Sequence, residues 1–423
     1  MKASLLIKNA GQVVTALNAS ARPKIKEDLG KIAVICDGAV AVAGERILSV
    51  GTTEEVERQN LCTSQTEIID ARGKIVLPGL VDAHTHLIFG GSREDELDLK
   101  LQGVPYLEIL KQGGGILNTV RATRAASLEE LVEIGSKYAG QMLAQGTTTA
   151  EAKSGYGLTV EDEIKMLQAI KAINERHSID LVPTFLGAHA VPPEFKEDAS
   201  RYVELVIEEM LPAVAEKGLA EYCDVFCEQG VFTREQSREI LTAARGKGLK
   251  ARIHADEIAA IGGSELAAHL GAVSADHLLV ITEQGIGEMA RKGIIANLLP
   301  ATAFYLREQH YAPARRMIEA GVPVVLASDF NPGSCPNNNL QPVMTIAALY
   351  LKMTAAEIIN AMTINAAHSL ERAWEIGSLE AGKKADIVIF DAPSYQYLPY
   401  RFGTNLVEKV IKNGKLVIGG ECH

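Results

Sequence analysis

The sequence predicts an α/β chain, a (β/α)8 TIM-like barrel with a small β-sandwich domain built from both termini. Three observations predict it. Eight short apolar runs in the middle of the chain alternate with amphipathic stretches, the pattern of parallel strands joined by helices. Both chain ends are instead β-rich, with Val and Ile punctuated by Gly and Asn. Polar residues fall at the C-terminal ends of the central runs, the rim on which such barrels carry their sites. The expected division is residues 1–76 plus 372–423 for the composite sandwich and 77–371 for the barrel.

At the N-terminus, "LLIKNAGQVVT", "AVAVAGERILSVG" and "EIIDARGKIVLPG" read as short strands. They are too few for a stable sheet of their own. "ADIVIFDAP" and "VEKVIKNGKLVIGG" near the C-terminus supply the missing partners, and Asn413-Gly414 is a two-residue hairpin signal. Between the ends, the candidate barrel strands are 79–86, 147–154, 180–188, 222–228, 250–255, 273–278, 294–299 and 323–329. Segments such as "LEELVEIGSKYAGQMLAQG" and "REQSREILTAARGKG" carry helical periodicity between them, the second closing on a glycine.

A chain of 423 residues and 45.4 kDa can bury a large core. Its 42 basic against 53 acidic side chains leave a net charge of −11, so no basic surplus exists to neutralise a phosphate backbone, and nucleic acid is not an expected partner. The opening "MKASLLIKNAG" is interrupted too early for a signal peptide, and no run reaches the roughly 20 apolar residues of a membrane helix. A cytoplasmic protein without membrane contact is expected. Six cysteines (36, 62, 223, 227, 335 and 422) lack a Cys-x-x-Cys pair and read as reduced, mostly buried thiols.

The stretch "VDAHTHLIFGGSRE" places His84 and His86 one residue apart after an apolar run. In a strand that spacing turns both imidazoles to one face. Alone the pair is weak grounds for a metal site, because packed histidines at this spacing are common. His254 in "ARIHADE", His277 in "VSADHLL" and Asp329 in "VVLASDFNPGS" each close another candidate strand. Packing alone is a poor account of four strand ends that stop on metal-competent groups.

These residues, with "HTHLIFGGSRE", "LQGVPYLEIL", "GGGI", "TTTAEAKSGYGL", "GAHAVPPE", "IHADEI", "SADHL" and "ASDFNPGS", resemble the amidohydrolase superfamily of metal-dependent barrel hydrolases. The likeness runs across nearly the whole chain, and its SGYG, HADE and DFNPGS blocks are far more specific than His-x-His. It is greatest to the branch that opens small cyclic amides.

The resemblance implies that His84, His86, His254 and Asp329 hold one zinc or iron ion per subunit, with a position left for water. Many relatives bridge a second metal with a lysine or glutamate from the fourth strand. That strand ends here in "FCEQG", so a single ion is expected unless Glu228 turns inward. Lys153, on the second strand, reads as solvated or ion-paired. Glu257 and His277 are implied as the acid/base pair around the metal, with Asp329 as a further proton acceptor. Arg93 is expected to meet a substrate carboxylate, and Tyr156, His189, Glu257, Asn331, Gly333 and Ser334 to line the pocket. "KQGGGI" (111–116) is read as a flexible cover. The expected substrate is a small anionic cyclic amide, and the expected assembly a homodimer. Two alternatives stay open: deamination of an aminopurine ring, and a barrel that serves only as a binding module.

Overall fold

Strands β1 (Leu5–Val14), β2 (Val34–Ala43), β3 (Arg46–Thr52), β4 (Glu67–Asp70) and β5 (Ile75–Pro78) arise from the β-branched N-terminal segments. The structure is a computed structural model that describes residues 2–17, 21–104, 108 and 113–419. Eight strands then follow with helices between them: β6 (Leu80–Asp82), β7 (Thr147–Lys153), β8 (Asp180–Ala188), β9 (Tyr222–Cys227), β10 (Lys250–Ala255), β11 (Ser274–His277), β12 (Ile295–Leu298) and β13 (Val324–Leu326). Each pairs with the next in parallel, in chain order. All eight predicted strands are present, and the α/β barrel class is that of the molecule.

Regular pairing stops between β13 and β6, and the barrel closes just beyond their ends. Asp329 N donates to His84 O at 3.0 Å and His86 N to Phe330 O at 2.9 Å. Barrel closure thus runs through the segments that carry three of the candidate ligands. The helices start where their caps place them. Ser127 with Glu130 and Thr233 with Gln236 form reciprocal capping boxes for Leu128–Ala144 and Arg234–Gly246, satisfying N–H groups that a helix's first turn leaves open.

The chain returns as β14 (Ile387–Phe390), β15 (Val407–Lys412) and β16 (Lys415–Ile418). The two ends join where β14 pairs antiparallel with β5, giving the strand path β16-β15-β14-β5-β1-β2-β3, with β4 beside β1. Period-two alternation sorts the side chains: Ile7, Val13, Val40 and Ile387 pack in one apolar cluster, Leu6, Ala39 and Ala41 in another. Asn413 and Gly414 both have positive φ, 49° and 74°, the conformation a tight hairpin loop needs.

Among the described cysteines, Cys223, Cys227 and Cys335 are buried and Cys36 and Cys62 exposed, all as free thiols; Cys422 lies outside the described residues. Among those residues, no helix is long and apolar enough to cross a membrane.

One buried cation ties the two sheets together. Lys412 on β15 places Nζ 2.6 Å from Asp386 and 2.7 Å from Asp180, at the start of β8. Both Lys412 and Asp386 are shielded from water. Removing one partner of a buried pair strands the other's charge. Lys412→Met is therefore expected to lower unfolding free energy by about 3 kcal/mol in urea titrations.

Candidate metal centre and active site

The seam sets the geometry. His84 and His86 follow β6, and Asp329 follows β13 across the closing hydrogen bonds. Asp329 Oδ1 lies 3.5 Å from Nε2 of each histidine. Its other oxygen accepts from Thr302 Oγ1 at 2.7 Å, which fixes the carboxylate and leaves Oδ1 for the histidines. From β10, His254 brings its ring to 4.6 Å from that of His84, and His277 at the end of β11 lies 5.1 Å from His254. His277 (φ 76°) and Asp329 (φ 54°) both adopt left-handed backbone, a cost that recurs at functional sites.

The donor chemistry fits a metal ion. His84, His86 and Asp329 form one group with ligand atoms within 4.8 Å of one another, and His84, His254 and His277 form a second. Nε2 of His84 and of His254 are buried without a hydrogen-bond partner, an arrangement that costs free energy unless something else meets those lone pairs. Burial, reinforced by neighbouring cations, holds His84 and His86 well below the usual histidine range. They are neutral at physiological pH, the form that ligates.

Carboxylates stand behind two of the histidines, and one of them fixes a tautomer. His84 Nδ1 lies 2.6 Å from Asp276 Oδ2. An ionised carboxylate only accepts, so Nδ1 carries the proton and Nε2 faces the site with its lone pair. His254 Nδ1 is 3.0 Å from Asp224 Oδ2; burial works against protonation of that ring, and Asp224 outweighs it. Below them Lys153 is fully buried, 2.7 Å from Asp224 and 2.8 Å from Glu151. It is the ion-paired lysine of the two readings offered by the sequence. Arg252, also fully buried, reaches Glu151 at 3.3 Å.

Glu257 Oε1 stands 3.4 Å from His277 Nδ1. Burial, with Asp329 adding to it, raises the Glu257 carboxyl to about 8, whereas burial raises Asp329 only to about 6, with Thr302 opposing. The two carboxyls therefore differ in protonation at neutral pH, an acid and a base within electrostatic reach of each other. His277 is kept neutral by burial first and by His254 next.

Around this centre the rim residues fall as follows. His189, after β8, stacks on His86 with centroids 4.9 Å apart, and its Nδ1 donates to Gly155 O at 3.0 Å. Tyr156 lies 5.8 Å from His86 and 5.2 Å from His189, ring to ring. Arg93 donates to Glu96 at 2.8 Å, while its Nε is buried without a partner. It rests against Gly333: a Cβ there would sit 1.9 Å from Arg93 Nη1.

Asn331 is committed within its own loop. Its Nδ2 donates to Asp329 O at 2.8 Å, and its Oδ1 accepts from the Gly333 and Ser334 amides at 2.9 and 2.8 Å. Glu228 is likewise committed, accepting from the amides of Gln229, Ile258 and Ala259; neither metal-competent group includes it. The stretch 111–116 lies partly outside the described residues. Within the rest, Gly115 N donates to Glu96 at 2.9 Å.

Asp224, Asp276, Glu151 and Arg252 were not singled out from the sequence. Their signal was there: strands buried on both faces of a parallel barrel read as apolar runs, and "AEAK", "CDVF", "ARIH" and "SADH" each interrupt one with a charge.

The site and barrel are those of a metal-dependent hydrolase, and the chain belongs to the amidohydrolase family, whose pattern matches residues 75–417. Within that family its relatives are imidazolonepropionases. It is 55% identical over 418 residues to the Imidazolonepropionase of Alkaliphilus metalliredigens, covering 99% of each chain. It is 51% identical to that of Geobacillus kaustophilus, covering 98% of each. Solved structures share the fold: an adenosine deaminase from Xanthomonas campestris with bound zinc (TM-score 0.73, 20% identity, 99% of this chain and 93% of that one). An atrazine chlorohydrolase from Arthrobacter aurescens complexed with zinc gives 0.68, 17%, 98% and 95%.

Gly333→Ala forces the Arg93 guanidinium to move. A charge-assisted contact contributes about 1.5–3 kcal/mol, so KM for an anionic substrate is expected to rise at least about tenfold in steady-state assays, with a smaller change in kcat.

Proposed function

We propose that this chain hydrolyses 4-imidazolone-5-propanoate to N-formimidoyl-L-glutamate, a step in L-histidine degradation. Water adds across the ring amide: the carbonyl carbon gains the hydroxyl, the C–N bond breaks, and the departing nitrogen takes a proton. Full-length identity of 55% with a protein named Imidazolonepropionase carries this reading. Arg93 seated on Gly333, in the loop that begins at Asp329, gives it a physical basis.

We assign one zinc or iron ion per subunit to His84, His86, His254 and Asp329, which would acidify a bound water to a pKa of about 7 and polarise the amide carbonyl. Asp329, largely ionised at neutral pH, would accept the water's proton. Glu257, largely protonated there, donates to the departing nitrogen, and His277 hydrogen-bonds the carbonyl oxygen or the attacking water. Arg93 meets the propanoate. Tyr156, His189, Asn331, Gly333 and Ser334 shape the pocket, with Asn331 holding its loop in place. The barrel, 77–371, is the catalytic unit in this reading, and the composite sandwich, 1–76 plus 372–423, its support. A cytoplasmic homodimer acting on a diffusible substrate, without nucleic acid or membrane, completes it.

An absorbance assay tests the proposal. Loss of imidazolonepropionate without ammonia release, abolished by a chelator and restored by zinc or iron, is the expected result. Absence of turnover, or ammonia released from an aminopurine, overturns it.

Because Glu257 must stay protonated, kcat/KM is expected to fall as pH rises through about 8. Glu257→Gln is expected to lower kcat by about 10²- to 10⁴-fold and to erase that alkaline limb in pH–rate profiles.

A further inference from the structure

Lys153 lies beneath the metal centre and touches no group assigned a part in the reaction. Its ammonium sits 2.7 Å from Asp224 Oδ2 and 3.9 Å from Asp276 Oδ2. Those two oxygens are the ones that face the proximal nitrogens of His254, at 3.0 Å, and His84, at 2.6 Å. One cation therefore contacts the acceptor atoms of both carboxylates that orient candidate ligands from opposite parts of the barrel. Glu151 braces the ammonium at 2.8 Å and is itself held by Thr184 Oγ1 at 2.6 Å. The Lys153 amide also donates to Thr85 O at 3.0 Å, fixing the residue between His84 and His86. All of these side chains are buried, so water supplies no substitute for a missing partner.

We infer that Lys153 is a positioning residue for the metal, the buried cation within ion-pair distance of both Asp224 and Asp276 that holds them where they aim His254 and His84 into the centre. The inference rests on the metal site proposed above. Without the ammonium, Asp224 and Asp276 lose the one side-chain cation among the described residues within 4 Å of both, and Arg252 remains paired with Glu151. The two aspartates separate or rotate, and the imidazoles turn with them. Partners one step behind a ligand typically carry 10- to 100-fold in metal affinity.

The test is zinc affinity, measured by competition with a chromophoric chelator. Lys153→Met is expected to bind zinc 10- to 100-fold more weakly than the wild type, and its cobalt(II)-loaded form to show displaced visible bands. Lys412→Met, which removes a buried cation far from the centre, is expected to melt earlier yet bind zinc as the wild type does. If Lys153→Met does not fold, the double variant Lys153→Met/Asp224→Asn removes opposite charges together and is expected to show the same weakening. Wild-type affinity and unshifted cobalt bands in Lys153→Met, or wild-type affinity in the double variant, overturn the inference. So does an equal loss of affinity in Lys412→Met. A wild-type protein that binds no zinc overturns the metal site itself, and the two failures are thus distinguishable.

Discussion

Closing the barrel is the constraint on which the rest depends. A sheet of eight parallel strands has two open edges until its first and last strands meet, and here they meet beyond their regular ends. The backbone bonds from Asp329 to His84 and from His86 to Phe330, together with Ser328 N donating to Asp82 Oδ1 at 3.0 Å, satisfy groups that would otherwise be stranded in the interior. The same bonds bring two imidazoles and a carboxylate together. Folding the barrel and bringing together three of the four candidate ligands are one event, and any change that loosens the seam moves those side chains with it.

That seam lies over an interior that is charged where most barrels are apolar. Lys153 and Arg252 answer Glu151, Asp224 and Asp276, all out of contact with water. Desolvating five charged groups is costly, and in return His84 has a fixed tautomer and His254 a carboxylate 3.0 Å from its Nδ1. The shielding also raises Glu257 while leaving Asp329 lower, so that at neutral pH the first carboxyl is largely protonated and the second largely ionised. Precision at the rim thus depends on electrostatics one layer down.

Much of this was legible in the sequence. The run of eight strands could be read because each combines β-branched residues with flanking turns, and 180–188 and 250–255 were placed to the residue. The donor set was legible because His84, His86, His254, His277 and Asp329 all close apolar runs. The layer beneath was not, since an Asp or Lys inside a strand has meaning only once its neighbours across the barrel are known: Lys153 meets Asp224 from 71 positions away. Glu228 shows the reverse. A carboxylate at a strand end invited a role as ligand, and only the structure reveals the three backbone amides that occupy it. Asn331 was expected at the pocket from its motif, whereas the bonds it makes within its loop depend on a turn geometry that residue order does not determine.

The most direct measurement is anomalous diffraction at the metal edge from crystals of the metal-loaded protein. One peak per chain, bounded by His84, His86, His254 and Asp329, is what the account requires. A peak centred instead on His84, His254 and His277, a second peak of equal height, or none at all would contradict it.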